Sequence, residues 1–250
     1  MTDTDVRDLL DVFERCQPTA DDDIFYADVL VGLRELIPCD DISFQLMDVA
    51  EQRIRALVVS EDGVQRHESV GTTSEFLRLF WLEFWDEDGC AGPLVSGDYV
   101  TPIHLAERWG RRAYANTPLG SAFQAAGVVD DVLVPMTPLG GTDRRVLLFR
   151  NTGSPEFSER EKAMLALARP HLAELHSRRD RELRGEPSLT PRQWEVLRRV
   201  ATGASNTQIA KGLGLSEATV RKHLENVFLR LDVQSRTEAV ARVLPFMDVA

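Results

Sequence analysis

The sequence predicts two unlike domains: an α+β domain whose antiparallel sheet carries flanking helices, then a small all-α domain of four helices. Three observations carry this reading. Residues 1–187 alternate helical stretches with paired runs of strand periodicity, the order expected of a sheet with helices on its faces. Residues 188–246 pack capped amphipathic helices end to end with almost no slack, as a helix-turn-helix unit requires. Charge is also partitioned: residues 188–250 hold nine Lys/Arg against six Asp/Glu, whereas residues 1–187 hold 20 against 34. An acidic body joined to a mildly basic tail fits two domains with different partners.

In chain order, residues 1–15 and 22–37 read as helices, the second opening on Asp21-Asp22-Asp23 and ending before Pro38. Ile42–Met47 alternates like a half-buried strand, and Ile54–Val59 can pair with it across a short turn. Ser74 begins a helix rich in aromatics, SEFLRLFWLEFWDED, followed by a Gly/Pro-broken region from Gly89 to Gly97 and helical pieces around Ala106 and Ala122. Asp131–Met136 and Arg144–Arg150 are two further strands joined by a turn over Thr137–Thr142. Ser158-Glu159-Arg160-Glu161 is a capping box for a helix toward Arg184, with Pro170 inside it as a source of a kink. Gly185 and Pro187 end that helix, which sets domains of 1–184 and 185–250.

In the second domain, capping boxes are expected at Thr190–Gln193, Ser205–Gln208 and Ser235–Glu238. Gly203 and Gly214 fall where helices end and positive φ is needed. Only Gly214-Leu215 separates the second helix from Ser216, the cap of the third. On that third helix Val220, Leu224, Val227 and Leu231 form one apolar stripe, and at about 100° per residue the opposite face carries Ala218, Lys222, Glu225 and Leu229. Arg221 and Asn226 flank it. Arg221 and Lys222 can reach guanine edges or phosphates, and Glu225 can accept from cytosine N4. Asn206, Thr207 and Arg236 sit near helix starts, where side chains and backbone N–H groups grip phosphate. The last helix offers Ala239, Val240 and Val243 as a small self-complementary surface for a two-fold dimer, or as closure of the domain's own core.

Leu189 to about Val243 resembles the C-terminal domain of LuxR/FixJ-type transcription regulators. LTPRQWEVL, the SNTQIA run Ser205–Ala210, Leu215–Val220 with the following RKH, and SRTEAV carry the resemblance. It implies four helices, the third as reader of double-stranded DNA in the major groove and the fourth for dimerisation on an inverted repeat. Carried over by position, Arg221, Lys222 and Glu225 are base-facing and His223 lies beside the backbone, either touching it or packed. Ser216 and Thr219 complete the expected DNA-binding set. Gln193 stands where the family often has Glu, Thr207 where it often has Lys, and Leu229 where a charge is usual.

The N-terminal layout resembles GAF and PAS sensor domains, and FSEREKAMLALARPHL resembles a group of LuxR-type regulators common in actinobacteria. A phosphoacceptor receiver is disfavoured because the chain opens with helices and its N-terminal domain holds a single lysine, Lys162. A lactone sensor is disfavoured because Trp81 and Trp85 echo the expected spacing without the tyrosine or the Asp-Pro pair. A ligand pocket is best sought among Phe80, Trp81, Phe84, Trp85, Tyr99, Trp109 and Tyr114, although an aromatic helix stripe is more often core. His67 and His104 lack a neighbouring nucleophile, no catalytic motif is present, and no cofactor or metal is expected. Cys16, Cys39 and Cys90 are expected as reduced thiols, and without a leader or an apolar span the protein is expected in the cytoplasm. The expected function is DNA-binding transcription regulation under an N-terminal sensor of a small-molecule or protein effector. The alternative is constitutive DNA binding with a protein-interaction module in its place.

Overall fold

Five antiparallel strands in the order β3-β2-β1-β5-β4 organise the N-terminal half of the computed structural model. The structure describes residues 1–16, 23–71, 77–78, 80–85, 91–104, 107 and 110–247, without the side chains of residues 83 and 84. The strands are β1 (Asp41–Asp48), β2 (Arg53–Ser60), β3 (Gly63–Val70), β4 (Val128–Leu139) and β5 (Thr142–Asn151). The expected pairing of the first two holds, with Ile42 opposite Val59 and Met47 opposite Ile54. β3 is an addition to the four expected strands. Its sequence GVQRHESV is polar and lies exposed at the sheet edge, so no buried face imposes an alternation to read. The β4–β5 loop is tighter than the expected six residues. Gly140 and Gly141 take φ of 59° and 83°, the pair of positive values a two-residue type I′ hairpin needs.

Strand alternation gives the sheet one face with an apolar centre, bordered by the buried charged residues Asp130, Arg144 and Arg150. Ile42 and Phe44, Leu57 and Val59, Val132 and Val134, and Val146 and Leu148 pack there. Covering them are α1 (Asp3–Glu14), α2 (Ala27–Leu36) and α6 (Glu159–Leu183), through Leu9, Leu30, Leu33, Met164, Leu165 and Leu172. Each such side chain contributes roughly 1.5–3 kcal/mol by leaving water, which makes this the principal core. Phe25 stacks on Phe44 at 4.2 Å. That insertion explains why the second helix begins at Ala27 and not at the acidic run: Ile24, Phe25 and Tyr26 are buried in extended or bent chain. Asp23 pairs with Arg55 and Arg66 of the sheet instead; Asp21 and Asp22 lie outside the described residues.

The expected aromatic helix is partly replaced by a π-helical turn over Phe80–Phe84. Trp81 and Trp85 pack at 5.5 Å on the second sheet face with Met47, Tyr114 and Leu119. Short helices α3 (Gly92–Ser96), α4 (Arg111–Tyr114) and α5 (Pro118–Ala125) follow. Ala106 and Cys90 lie outside the described residues. Cys39 is buried, and burial pushes its thiol up to about 12, so it is an inert packed thiol.

Ser158 and Glu161 form the expected capping box of α6. The helix runs through Pro170 to Leu183, and just past it Gly185, at a φ of 67°, lets Glu186 N–H return to the Arg181 carbonyl. The chain separates into two compact units, Met1–Ser177 and Arg178–Ala250, so the division falls inside this helix.

The second unit contains α7 (Pro191–Ala201), α8 (Asn206–Leu213), α9 (Glu217–Leu231) and α10 (Arg236–Val243). Its core gathers Trp194, Val196 and Leu197, Ile209, the stripe Val220, Leu224, Val227 and Leu231, and Ala239 with Val243.

Candidate nucleic-acid interface

Helix α9 is fixed from both ends. Gly214 closes α8 at φ 64°, and Leu215 N–H returns to the Ala210 carbonyl at 2.9 Å. Ser216 Oγ then accepts from Thr219 N–H at 3.1 Å and lies 2.8 Å from Thr219 Oγ1. At the far end Asp232 takes the left-handed conformation, φ 52°. Arginines of α7 hold the preceding helix: Arg192 donates to the Leu213 carbonyl at 2.7 Å, and Arg199 donates to that of Gly212 at 3.4 Å. These carbonyls belong to the negative end of α8, which a guanidinium both neutralises and satisfies.

With the stripe buried, the opposite face is presented outward. Arg221, Lys222 and Glu225 are exposed, while His223 and Asn226 are half-buried. Lys222 and Glu225 approach only to 3.7 Å, a loose surface pair whose members stay available. Leu229 is 80% exposed beside them, so its departure from a charged residue changes the surface and not the core. Thr207 is exposed in the first turn of α8, one residue past half-buried Asn206.

Arg236 behaves differently from the expectation of a free phosphate ligand. Its Nη1 donates to Asn206 Oδ1 at 3.4 Å and its Nη2 to the Ala204 carbonyl. It therefore ties α10 to the start of α8 and orients Asn206. The capping box expected at Ser235 is incomplete. Ser235 accepts from Glu238 N–H at 3.2 Å, but Glu238 turns its carboxylate to Gln234 N–H. Those hydrogen bonds hold the Glu238 carboxyl below its ordinary range. Boxes at Thr190 and Ser205 are complete.

Of the three residues expected on a dimer surface, Ala239 and Val243 are 0% exposed and close the domain's own core. They are unavailable to a second subunit; Val240 is half-buried.

In the N-terminal unit Trp81, Trp85 and Tyr114 come together as buried members of one cluster. Tyr99 stands outside that cluster, half-buried, with its carbonyl accepting from Arg169 at 3.2 Å. Trp109 lies outside the described residues. Sequence reading missed a buried ionic group beside them. His104 Nδ1 lies 2.9 Å from Glu107, and its Nε2 contacts Asp130, whose other oxygen accepts from Phe157 N–H at 2.6 Å. Burial pulls the His104 pKa down, but its bonds to the two carboxylates win and raise it. His104 and Asp130 lie 26 residues apart, which no spacing rule connects.

A capped two-helix turn with one outward basic face defines a helix-turn-helix DNA-binding domain. Residues 187–243 match the family model described as "Bacterial regulatory proteins, luxR family", and this segment is a LuxR-family domain. The chain is 52% identical over 52 residues to a nitrate/nitrite response regulator protein homolog of Haemophilus influenzae, covering 21% of this chain and 25% of that one. It is 47% identical over 53 residues to the CsgBAC operon transcriptional regulatory protein of Escherichia coli, covering 21% and 24%. The chain thus spans about a quarter of the length of these curated relatives. Among solved structures, Escherichia coli SdiA aligns over 95% of this chain and 94% of its own, with 17% identity and TM-score 0.39. A GAF domain from a Coxiella burnetii phosphotransferase aligns over 72% and 96%, with 16% identity and TM-score 0.44.

Proposed function

We propose that this protein is a sequence-specific transcription regulator that binds double-stranded DNA through α9 and is controlled by its N-terminal domain as a small-molecule sensor. The observation that carries the reading is the outward face of α9, where Arg221, Lys222 and Glu225 stand exposed over a fully buried stripe. In the major groove Arg221 and Lys222 supply donors to guanine edges or phosphate, and Glu225 accepts from cytosine. Thr207, Ser216 and Thr219 lie at the starts of α8 and α9, where backbone N–H groups and the positive helix ends favour phosphate. Asn206, held by Arg236, joins them, and His223 lies beside the backbone contact.

Net charge tempers the affinity of one subunit. Four of the unit's arginines, Arg192, Arg199, Arg230 and Arg236, are spent on internal carbonyl or amide oxygens. Two subunits on an inverted repeat would double the remaining contacts. Because Ala239 and Val243 are internal, a dimer contact through α10 would use Val240 and exposed Leu244. The polar groups buried on the second sheet face favour a ligand domain over a purely structural one, since apolar residues would fill that space at lower cost.

In vitro selection from random duplexes tests the reading. A defined, two-fold symmetric site is expected, and affinity for it should fall steeply as salt rises because bound phosphates release counterions. Enrichment of no sequence, or an affinity indifferent to salt, would contradict it.

A further inference from the structure

The second face of the sheet, like the margins of the first, buries charge. Ser43, Asp131, Asp143 and Arg145 alternate away from the apolar core, yet all four are buried. Three of them are accounted for: Arg145 pairs with Asp143 at 2.7 Å and lies 5.1 Å over the Trp85 ring, and Ser43 accepts from Gln45 at 3.1 Å. Asp131 is the exception. It is 1% exposed, and its Oδ2 has no hydrogen-bond partner among the described residues.

Asp131 lines a cavity of about 250 Å³ between α4, α5 and the start of β4. Tyr114, Phe123 and Val129 give the wall its apolar surface, which also carries the amide of Gln124 and the charges of Arg111 and Asp130. Both of these charges are already engaged, Arg111 with Glu156, and Asp130 with His104 and the Phe157 N–H. Among the described residues of the wall, the buried carboxylate oxygen left without a hydrogen bond is Asp131 Oδ2. Tyr114 hydrogen-bonds the Asp131 carboxyl, and its Oδ2 is left unmet; a buried carboxylate oxygen without a donor is costly, and a cation seated on it recovers that cost. A metal ion would need several further oxygen ligands, which the described residues of this wall do not supply.

We propose that this cavity binds a small primary alkyl- or arylalkylammonium ion, its ammonium donating to Asp131 and its apolar body resting on Tyr114, Phe123 and Val129. The aromatic walls suit such an ion because ring faces attract ammonium groups. The inference rests on reading the N-terminal domain as a small-molecule sensor, and it assigns the ligand's class. Burial pushes the Asp131 carboxyl up to about 7, opposed by His104 and Tyr114 and reinforced by Asp130. Among the described residues, Arg111 also stands at the wall. Seating an ammonium ion drives the carboxyl to ionise, so binding releases a proton to buffer.

The test is calorimetric titration of the full chain with 2-phenylethylammonium and, as its neutral counterpart, 2-phenylethanol. Saturable binding of the ammonium ion is expected, with at least tenfold weaker binding of the alcohol. Asp131→Asn, nearly isosteric, should weaken the ammonium ion at least tenfold and abolish proton release. Val129→Trp, which fills the cavity mouth from a partly exposed position, should weaken it as well. Equal affinity for the alcohol, undiminished affinity in Asp131→Asn, or no saturable binding by the native chain would each overturn the proposal. Binding to the selected DNA site, measured with and without the ammonium ion, separates the two ideas. If the ion binds through Asp131 and DNA affinity does not change, the site stands and the sensor reading fails.

Discussion

Arg230, near the end of α9, donates from Nη1 to the Gln193 Oε1 of α7 at 3.2 Å. That same oxygen accepts from the Thr190 N–H at 2.9 Å, so one neutral amide both caps α7 and anchors α9. A glutamate would do both with a charge; glutamine does both without one. Gln193→Ala removes the cap partner and the acceptor of Arg230, and should destabilise the C-terminal unit by about 1–2 kcal/mol. Gln193→Glu should melt at or above the native temperature. Thermal unfolding followed by helical circular dichroism checks both, and an unchanged melt for Gln193→Ala would show that neither bond matters.

Arg150 is the principal polar staple of the N-terminal unit. It is buried and donates to the carbonyls of Pro38, Pro155 and Glu156 and to Glu161, with its guanidinium 4.0 Å over the Phe157 ring. Arg150→Ala should cost roughly 3–5 kcal/mol, because Glu161 and three carbonyls lose a shared donor. Arg150→Lys should recover only part of it, since an ammonium cannot reproduce the planar fork. Urea unfolding gives the comparison, and a lysine variant as stable as the native chain would argue against the fork.

Asp131 also makes stability depend on pH in an uncommon direction. Its carboxyl is raised from 3.8 to about 7 by burial, so the folded state holds the proton more tightly than the unfolded chain. Its contribution to stability is therefore undiminished below about pH 4, falls as pH rises, and is fully lost above about pH 7. Asp131→Asn abolishes this loss. The gain in melting temperature of Asp131→Asn over the native chain should grow between pH 5 and pH 7, by several degrees. A gain that is flat across that range would place the carboxyl's titration elsewhere.

Gly120 packs against the backbone of α4 so closely that a Cβ would lie 2.0 Å from the Tyr114 carbonyl oxygen. Gly120→Ala should therefore shift α5 off α4, quench or redshift tryptophan fluorescence near Trp81 and Trp85, and lower stability by about 1–3 kcal/mol. An unaltered spectrum and melt would mean that the helices separate without cost.

The elements legible in the sequence are those where burial imposes a period. The stripe of α9, the caps of Thr190, Ser205 and Ser216, and the β1–β2 pair are of this kind. β3 was illegible because an exposed edge strand buries neither face. The helix start at Asp21–Asp23 misled because local acid preference yielded to the burial of Ile24, Phe25 and Tyr26. Its place near a helix start suggested that Arg236 was a phosphate ligand, whereas its hydrogen bonds to Ala204 and Asn206 make it a brace. Asp131 looked like an ordinary strand residue. Only the fold reveals that it is buried on the face away from the apolar core, without an ion pair among the described residues.

The central claim is that the exposed face of α9 reads DNA, and one measurement addresses it directly. Arg221→Ala with Lys222→Ala leaves the buried stripe intact, so folding should be unaffected. Affinity of the double variant for the selected site should fall by at least tenfold, at about 1–3 kcal/mol per base contact removed, and its salt dependence should flatten. A folded double variant that binds that site with native affinity would contradict the account.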